Sequence, residues 1–275
     1  MIIAIAIGLG IVGLMIGSFL NVVIYRVPAG LSVVLPPSAC PRCGASIKPY
    51  DNVPVISWLI LRGRCRECAQ PISVRYPLVE GMTGATFFIV GLFALEALGR
   101  TTDLAQLFST VIVALAYLYL AAISVALAMI DLDTQRLPDS IVLPSYFVSL
   151  SLFIAAAFTS GDFGGLFRAV IMLAVLVVAY YVMAIAYPGG MGFGDVKLAG
   201  LLGLYLGWLG WGVSFVGALA PFVLGGLFGI ALIVVRRANR KSGIPFGPWM
   251  LGGTWLAIAF GGPLFERYLA LFGLA

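Results

Sequence analysis

The sequence contains no histidine and very little charge. Histidine is absent from all 275 positions, and Asp, Glu, Lys and Arg together make up only 10% of the chain. The missing histidine excludes Ser-His-Asp and Cys-His triads and also histidine-bound catalytic zinc. A Ser-Lys dyad would have to use one of only three lysines, and none has a persuasive serine partner. General acid–base chemistry therefore falls to the carboxylates.

Charge is scarce because most of the chain is apolar. Hydrophobic residues make up 62% of it, and a soluble globular domain carries about 25% charged residues. Apolar runs recur along the chain, and a run of about 18 or more residues can cross a hydrocarbon core of about 30 Å as a helix. Open sheets cannot span lipid, and the alternation of barrel strands is missing. We predict an all-α polytopic membrane protein.

Eight apolar segments are predicted to be transmembrane helices. The weakest boundary is the one between the sixth and seventh, because LGWLGWGVSF has no charge to mark a turn. The first segment lacks a basic n-region and is longer than a signal-peptide core of about 7–15 residues, so we expect it to be retained. The segments are 2–25, 77–98, 104–130, 141–159, 168–187, 196–212, 214–235 and 247–271.

The basic residues are concentrated in alternate loops. The loops 26–76, 131–140, 188–197 and 236–246 hold 13 of the 16 lysines and arginines. Because basic loops stay in the cytoplasm, this asymmetry places the N-terminus outside. The net charge of +5 needs no nucleic-acid partner, and RRANRK at 236–241 is most simply a basic anchor.

All four cysteines lie in the one sizeable polar stretch. Cys40 and Cys43 form CPRC, and Cys65 and Cys68 form CREC after a 21-residue spacer. Four thiolates at this spacing suit a closed, structural zinc site. Disulfides or free thiols are the alternatives, but a reducing cytosol disfavours disulfides. We predict a first helix at 1–25, a cytoplasmic zinc domain at 26–76 and a transmembrane core at 77–275.

Two carboxylates lie at the predicted cytoplasmic edge of apolar segments. Asp131 follows the run AAISVALAMI, and Asp195 lies in GGMGFGDVKL. Two acids held close cannot both ionise, so one can act as the acid while the other activates water, as in an aspartyl protease. The alternatives are structural: Asp195 as a helix cap, Lys197 as an anchor and Asp139 as a cap after Pro138. The sequence does not show whether Asp131 and Asp195 touch.

These residues resemble a known family, the bacterial type IV prepilin leader peptidases, which are membrane enzymes of the GxGD aspartyl protease class. The resemblance implies that Asp131 and Asp195 are the catalytic pair, with Gly192, Gly194 and Lys197 in a supporting loop. The glycines are expected to let the backbone bend near an extended substrate. The matching stretches are GSFLNVVIYRVP at 17–28, both C-x2-C motifs, NVPVISWLILRGRC at 52–65, ISVRYPLVE at 72–80, IDLDTQRLPD at 130–139, and GGMGFGDVKL at 189–198.

The resemblance also implies substrates and a second activity. The family cleaves the leader of type IV prepilins or type II secretion pseudopilins after a glycine, at the cytoplasmic face of the bacterial inner membrane. It then N-methylates the new terminus using S-adenosylmethionine. No G-x-G-x-x-G fingerprint follows a strand here, so the methyl-donor site must be of another kind. Glu80 is our candidate, with Asn21 and Gly84 as neighbours, and would stabilise the sulfonium of the donor or the amine of the substrate. The alternative is that Glu80 pairs with a basic residue such as Arg75.

Two functions without peptidase chemistry stay open at this point. A transporter would use Asp131 and Asp195 to relay protons or bind a cation near broken helices. A zinc-ribbon platform for a secretion machine would have no chemistry of its own. Both acids gather at the inner edge and no internal repeat is visible, so the enzyme is favoured. Expected partners are prepilin or pseudopilin substrates and membrane lipid, and whether the chain forms a homo-oligomer is left open.

Overall fold

The computed structural model describes residues 2–187, 190–235 and 245–273. In these ranges the chain is helical, and its only β-structure is two isolated antiparallel bridges. The predicted all-α architecture is confirmed. The basic stretch at 236–241 and Gly189 lie outside the described residues. The α-helices are α1 Ile2–Arg26, α2 Ile56–Ile60, α3 Arg75–Leu98, α4 Leu104–Thr134, α5 Asp139–Ser160, α6 Phe163–Ala186, α7 Phe193–Leu209, α8 Trp211–Val234 and α9 Gly247–Leu271.

Each of the eight predicted apolar segments is a helix. Six of them (α1, α3, α4, α5, α6 and α8) are long and apolar enough to cross a membrane, as expected of a multi-pass membrane protein. The helix α7 has only 17 residues, so the count of eight spans stays a prediction. The weak boundary between α7 and α8 falls at Gly210, whose φ of 137° suits glycine and few other residues.

The chain divides into two compact units, Met1–Ala126 and Leu127–Ala275. In the first unit, α1 packs against α3 through small residues that let the two backbones approach closely. A Cβ atom on Gly13 would lie 2.7 Å from the Cβ of Phe87, and one on Gly17 would lie 2.7 Å from the Cα of Glu80. The helix α1 is therefore fixed directly against the turn of α3 that carries Glu80.

The second unit is built around α7, which packs against α5, α6, α8 and α9. Its contact with α6 is a backbone contact, because a Cβ on Gly203 would lie 2.5 Å from the carbonyl oxygen of Met172. The buried hydroxyls of Tyr205 in α7 and Ser149 in α5 are hydrogen-bonded at 2.7 Å. These contacts fix α7 in the centre of the unit, and with it the position of Asp195 in its first turn.

Candidate functional site

Asp131 lies in the last turn of α4 and is only 4% exposed. Its Oδ2 atom accepts a hydrogen bond of 2.9 Å from the backbone N–H of Gly247, the first residue of α9. A buried carboxylate is costly unless such partners stabilise it, and the first turn of a helix is a favourable place for negative charge. The start of α9 therefore supports the buried acid at the end of α4.

Asp195 lies in the first turn of α7, where its Oδ2 atom accepts the backbone N–H of Gly192 at 3.1 Å. The backbone N–H of Asp195 donates to the carbonyl oxygen of Gly192 at 3.0 Å, which completes a reciprocal cap. The structure thus confirms that Asp195 caps α7, which was one of the alternatives considered from the sequence. It does not exclude a second role, because the carboxylates of Asp195 and Asp131 are close enough for their charges to interact.

The structure gives the two glycines before Asp195 a different role from the expected bend. Gly192 is extended, with φ −83° and ψ 151°, and Gly194 already belongs to α7. Neither has a left-handed backbone. Gly194 instead allows a close approach, because a Cβ there would lie 3.1 Å from the Cβ of Leu137. The chain enters a regular helix at this point rather than a bent loop.

Lys197 ties α7 to α5 beside Asp195. Its Nζ atom contacts both carboxylate oxygens of Asp139 at 2.8 Å. Asp139 is the first residue of α5, and Pro138 is its N-cap, with no side-chain hydrogen bond in the cap. The expectation that Asp139 caps this helix is therefore wrong, because its carboxylate is committed to Lys197. The Tyr146 hydroxyl also donates to the carbonyl oxygen of Lys197.

Sequence reasoning missed the start of α9. The ring of Phe246 packs 5.4 Å from that of Phe222 and 6.4 Å from that of Tyr180, measured between centroids. Tyr180 also interacts electrostatically with Asp195. Proline in the first turn of α9 signals a helix start. Nothing local in the sequence shows that this start lies against an acid 116 positions earlier.

The two C-x2-C motifs fold into matching turns in the first unit. An antiparallel bridge closes each of them, Ala39 with Ser46 and Arg64 with Pro71. In both turns the first cysteine donates its backbone N–H to a carbonyl five residues later, at 2.9 Å from Cys40 and 2.8 Å from Cys65. The two motifs therefore present their thiols in the same way.

The four thiols form one cluster that fits a metal ion. Their sulfur atoms all lie within 4.8 Å of one another, and those of Cys40 and Cys68 are 3.8 Å apart. Tetrahedral zinc with Zn–S bonds of about 2.3 Å separates its sulfurs by about 3.8 Å. All four cysteines are free thiols, so the disulfide alternative is not adopted. Backbone N–H groups of Cys43 and Arg42 lower the pKa of Cys40 to about 6, which favours its thiolate. A backbone hydrogen bond from Gln70 lowers the pKa of Cys68, but burial and the neighbouring thiols outweigh it and raise that pKa to about 12.

A cavity of about 410 Å³ lies beside this cluster in the first unit, and Glu80 is part of its wall. Glu80 is 8% exposed, and its Oε2 atom accepts the backbone N–H of Val55 at 2.7 Å. Val55 has a φ of 60°, which is strained for a β-branched residue. The wall also contains the aromatic side chains of Trp58 and Tyr76. Two aromatic side chains and the carboxylate of Glu80 thus border one cavity.

The other two candidate residues for the methyl-donor site, Asn21 and Gly84, do not line this cavity. The side-chain amide of Asn21 donates to the carbonyl oxygen of Tyr76 at 3.2 Å, so it supports one residue of the cavity wall. Gly84 is a contact residue between α1 and α3, because a Cβ there would lie 2.8 Å from Cδ2 of Leu14. Of the three candidates, only Glu80 lines the cavity.

Comparison with known proteins assigns these two sites to one family. The family model described as Bacterial Peptidase A24 N-terminal domain matches residues 11–94, and the Type IV leader peptidase family matches residues 118–234. The chain belongs to the type IV leader peptidase family. It is therefore related to enzymes, as the sequence resemblance indicated.

Individual members of the family match almost the whole chain. The Prepilin leader peptidase/N-methyltransferase of Aeromonas hydrophila is 36% identical over 94% of this chain and 92% of its own length. The protein of the same name from Pseudomonas putida is 35% identical over 96% and 93%. The one from Myxococcus xanthus is 38% identical over 96% and 76%. No solved structure gave a significant match.

The two family matches divide the sites between them. The first, over residues 11–94, contains the cysteine cluster, the cavity and Glu80. The second, over residues 118–234, contains Asp131 and Asp195. Gly247, which donates to Asp131, lies beyond both matched ranges.

Proposed function

We propose that this chain cleaves the leader from type IV prepilins or type II secretion pseudopilins, after a glycine at the cytoplasmic face of the bacterial inner membrane. In a second reaction it methylates the new N-terminus with S-adenosylmethionine. The observation that carries the proposal is the placement of two acids in the second unit, Asp131 at the end of α4 and Asp195 at the start of α7, within range of each other's charge. Both lie at helix ends, where the start of a substrate's apolar helix would be presented.

The two carboxylates can divide the work of peptide hydrolysis. Because like charges held close do not both ionise, one carboxyl keeps its proton and the other is a base. The base takes a proton from water, and the water oxygen attacks the scissile carbonyl carbon while the protonated acid donates to the carbonyl oxygen. Collapse of the tetrahedral intermediate breaks the C–N bond, and the amine leaves with a proton from the pair. No histidine and no metal ion are required for these steps.

A cleavage assay tests this mechanism. We would incubate the purified protein in proteoliposomes with a prepilin peptide carrying leader, glycine and phenylalanine, and follow leader release by mass. Asp131→Asn and Asp195→Asn should each lower the rate at least about 1,000-fold, because either change removes the acid–base pair. Asp103→Asn is the matched control, since Asp103 is exposed and supports the start of α4 through a hydrogen bond that asparagine can also accept. Parental cleavage by either of the first two variants would refute the aspartyl mechanism.

The cavity beside Glu80 fits the methyl donor. Its volume of about 410 Å³ lies within the range of about 300–1,000 Å³ usual for small-molecule sites. The aromatic walls of Trp58 and Tyr76 suit an adenine ring, and the carboxylate of Glu80 suits a cation. When bound, S-adenosylmethionine supplies a methyl group on a positively charged sulfur. Glu80, fixed by its hydrogen bond to Val55, would hold the donor in the cavity.

Direct binding separates this site from the peptidase reaction. Calorimetry with S-adenosylmethionine should show affinity weakened about tenfold or more in Glu80→Gln, the size expected for one lost charge interaction. Glu96→Gln is the matched control on the same helix, because Glu96 is an exposed residue paired with Arg100. Neutral adenosine should bind the parent and Glu80→Gln alike. If Glu80→Gln binds S-adenosylmethionine as the parent does, Glu80 is not part of the donor site.

The tetracysteine cluster is proposed to hold structural zinc. Four protein thiolates fill a tetrahedral shell and leave no open position for a substrate. The ion would fold a polar segment whose regular structure is limited to a short 3-10 helix, the five-residue helix α2 and the two isolated β-bridges. It would thereby shape the cavity, since Cys40 and Cys65 belong to the wall. Residues 26–76 are thus proposed as the cytoplasmic zinc domain.

The transporter and platform alternatives have lost support. The relatives that match over most of this chain are named as enzymes with both a peptidase and a methyltransferase activity. A transporter would also need the acids in a pathway, and a platform would need neither acid. The cleavage assay decides among the three, because only the enzyme releases the leader from the peptide.

A further inference from the structure

The proposed peptidase site contains a group that belongs to neither acid. The backbone N–H of Gly247 donates to Oδ2 of Asp131 at 2.9 Å in a buried position. The hydrogen bond joins positions 116 residues apart. A hydrogen bond to an ionised carboxylate is stronger than one between neutral groups and fixes the direction of the carboxylate.

Glycine is required at this position by space. A Cβ atom on residue 247 would lie 2.7 Å from Oδ2 and 3.2 Å from Cγ of Asp131, and 3.4 Å from Cδ2 of Leu137. Any other residue would displace the carboxylate that it has to hold. The same helix contains Gly252, whose added Cβ would meet nothing within 4 Å. Gly253 of this helix is also closely packed, but against Pro221, so the contact with the Asp131 carboxylate distinguishes Gly247.

The start of α9 is itself held firmly. The ring of Phe246 packs against Phe222 of α8 and Tyr180 of α6, and Tyr180 interacts electrostatically with Asp195. The carbonyl oxygen of Phe246 accepts the N–H groups of Trp249 and Met250 at 3.0 and 3.1 Å. The residue before Gly247 thus anchors the helix start to the elements around the second acid.

We propose that the start of α9 is a positioning element of the peptidase: the Gly247 N–H holds the Asp131 carboxylate in its working orientation toward Asp195. This inference rests on the proposed function, because it concerns the same acid pair. Gly247 acts through Asp131 and is not itself a catalytic residue. A displacement of about 1 Å in a catalytic group can cost about 100-fold in rate, which sets the size of the expected effect.

The first test compares two glycines of one helix. Gly247→Ala should lower kcat for leader release about 100-fold while KM stays within about threefold, since the substrate contacts are not altered. Gly252→Ala should cleave at the parental rate. Methyl transfer to an already cleaved peptide reports whether each variant is folded, and it should stay parental in both. A parental kcat in Gly247→Ala would overturn the proposal.

A second variant removes only the donor. Replacing Gly247 by glycolic acid, through stop-codon suppression, exchanges the backbone N–H for an ester oxygen and adds no Cβ. This change should lower kcat about tenfold or more and leave KM unchanged. A tenfold decrease is the effect expected from the loss of one hydrogen bond to a charged group. If Gly247→Ala misfolds and loses both activities, the ester variant still tests the proposal. A parental kcat in the ester variant would overturn it. Parental cleavage by Asp131→Asn, in contrast, would refute the proposed function itself.

Discussion

Glu80 and Asp131 are the only two acidic residues that are buried in the described part of the chain, and each belongs to a different unit. Each accepts one backbone N–H from a distant segment, Glu80 from Val55 at 2.7 Å and Asp131 from Gly247 at 2.9 Å. Their surroundings differ. Glu80 lines a cavity, whereas Asp131 interacts with a second acid, Asp195.

Burial alone does not assign a chemistry to a carboxylate. The wall of the cavity also contains Asp51 and Glu67, but Glu80 is its buried acid. Burial strengthens the attraction of a carboxylate for an opposite charge, so Glu80 is suited to hold a cation. Two interacting acids are suited to move protons, because one can stay protonated while the other is a base. We therefore propose Glu80 for methyl-donor binding and Asp131 with Asp195 for hydrolysis.

Loss of the cysteine cluster should separate the two sites most strongly. In Cys65→Ser, the zinc content should fall, and S-adenosylmethionine affinity should weaken about 100-fold or more, because a metal-dependent loop unfolds without its ion. Leader release should fall less than about tenfold, since Asp131 and Asp195 belong to the other unit. Metal analysis, calorimetry and the cleavage assay on one preparation check this. A zinc-free variant that binds the donor as the parent does would contradict it.

A glycine on α1 offers a second way to disturb one site alone. In Gly17→Ala, the new Cβ would lie 2.7 Å from the Cα of Glu80, so the turn that carries the acid has to shift. We expect the free energy of unfolding to fall by about 1–3 kcal/mol. Methyl transfer should be about tenfold slower, because a factor of ten corresponds to about 1.4 kcal/mol. Leader release should be unchanged. Thermal unfolding in detergent and both activity assays test this prediction.

Gly8→Ala is the matched control on the same helix, since a Cβ on Gly8 would meet nothing within 4 Å. It should keep both activities and the parental unfolding temperature. Equal losses in Gly8→Ala and Gly17→Ala would mean that the contact with Glu80 is not the cause.

The sequence and the structure agree where the signal is local. Hydropathy predicted the apolar segments to within a few residues, for example 104–130 against Leu104–Thr134 for α4. The C-x2-C spacing predicted one cluster of four thiols, and the structure forms it. Both predictions depend on residues close in the chain or on the periodicity of one helix, which a sequence displays directly.

The contacts that complete the sites were not predictable in this way. The donors to Glu80 and Asp131 are backbone N–H groups, which every residue except proline possesses and which no sequence letter marks. The pair of Lys197 and Asp139 joins positions 58 apart, and the sequence favoured capping for Asp139 because Pro138 precedes it. Such contacts depend on which helices become neighbours, and only the packed fold decides that.

The smallest expected effect concerns this ion pair, which lies beside Asp195 on α7. Lys197→Met should slow leader release about threefold, because it releases one tie between α5 and α7 and leaves both acids intact. The pair is partly exposed, at 40% and 55% for the two side chains, so its coupling should be only about 0.2–1 kcal/mol. A double-mutant cycle with Asp139→Asn measures that coupling. Methyl transfer should not change, and a loss of methyl transfer would show that the pair serves both sites.

If the two buried acids serve separate reactions, assays of both reactions on the same variants will separate them. Asp131→Asn and Glu80→Gln would each be given an uncleaved prepilin peptide and a pre-cleaved peptide with a free N-terminal phenylalanine. We expect Asp131→Asn to lose leader release but to methylate the pre-cleaved peptide, and Glu80→Gln to release the leader but to methylate poorly. Loss of both reactions in both folded variants would contradict this expectation, because the two carboxylates would then form one site.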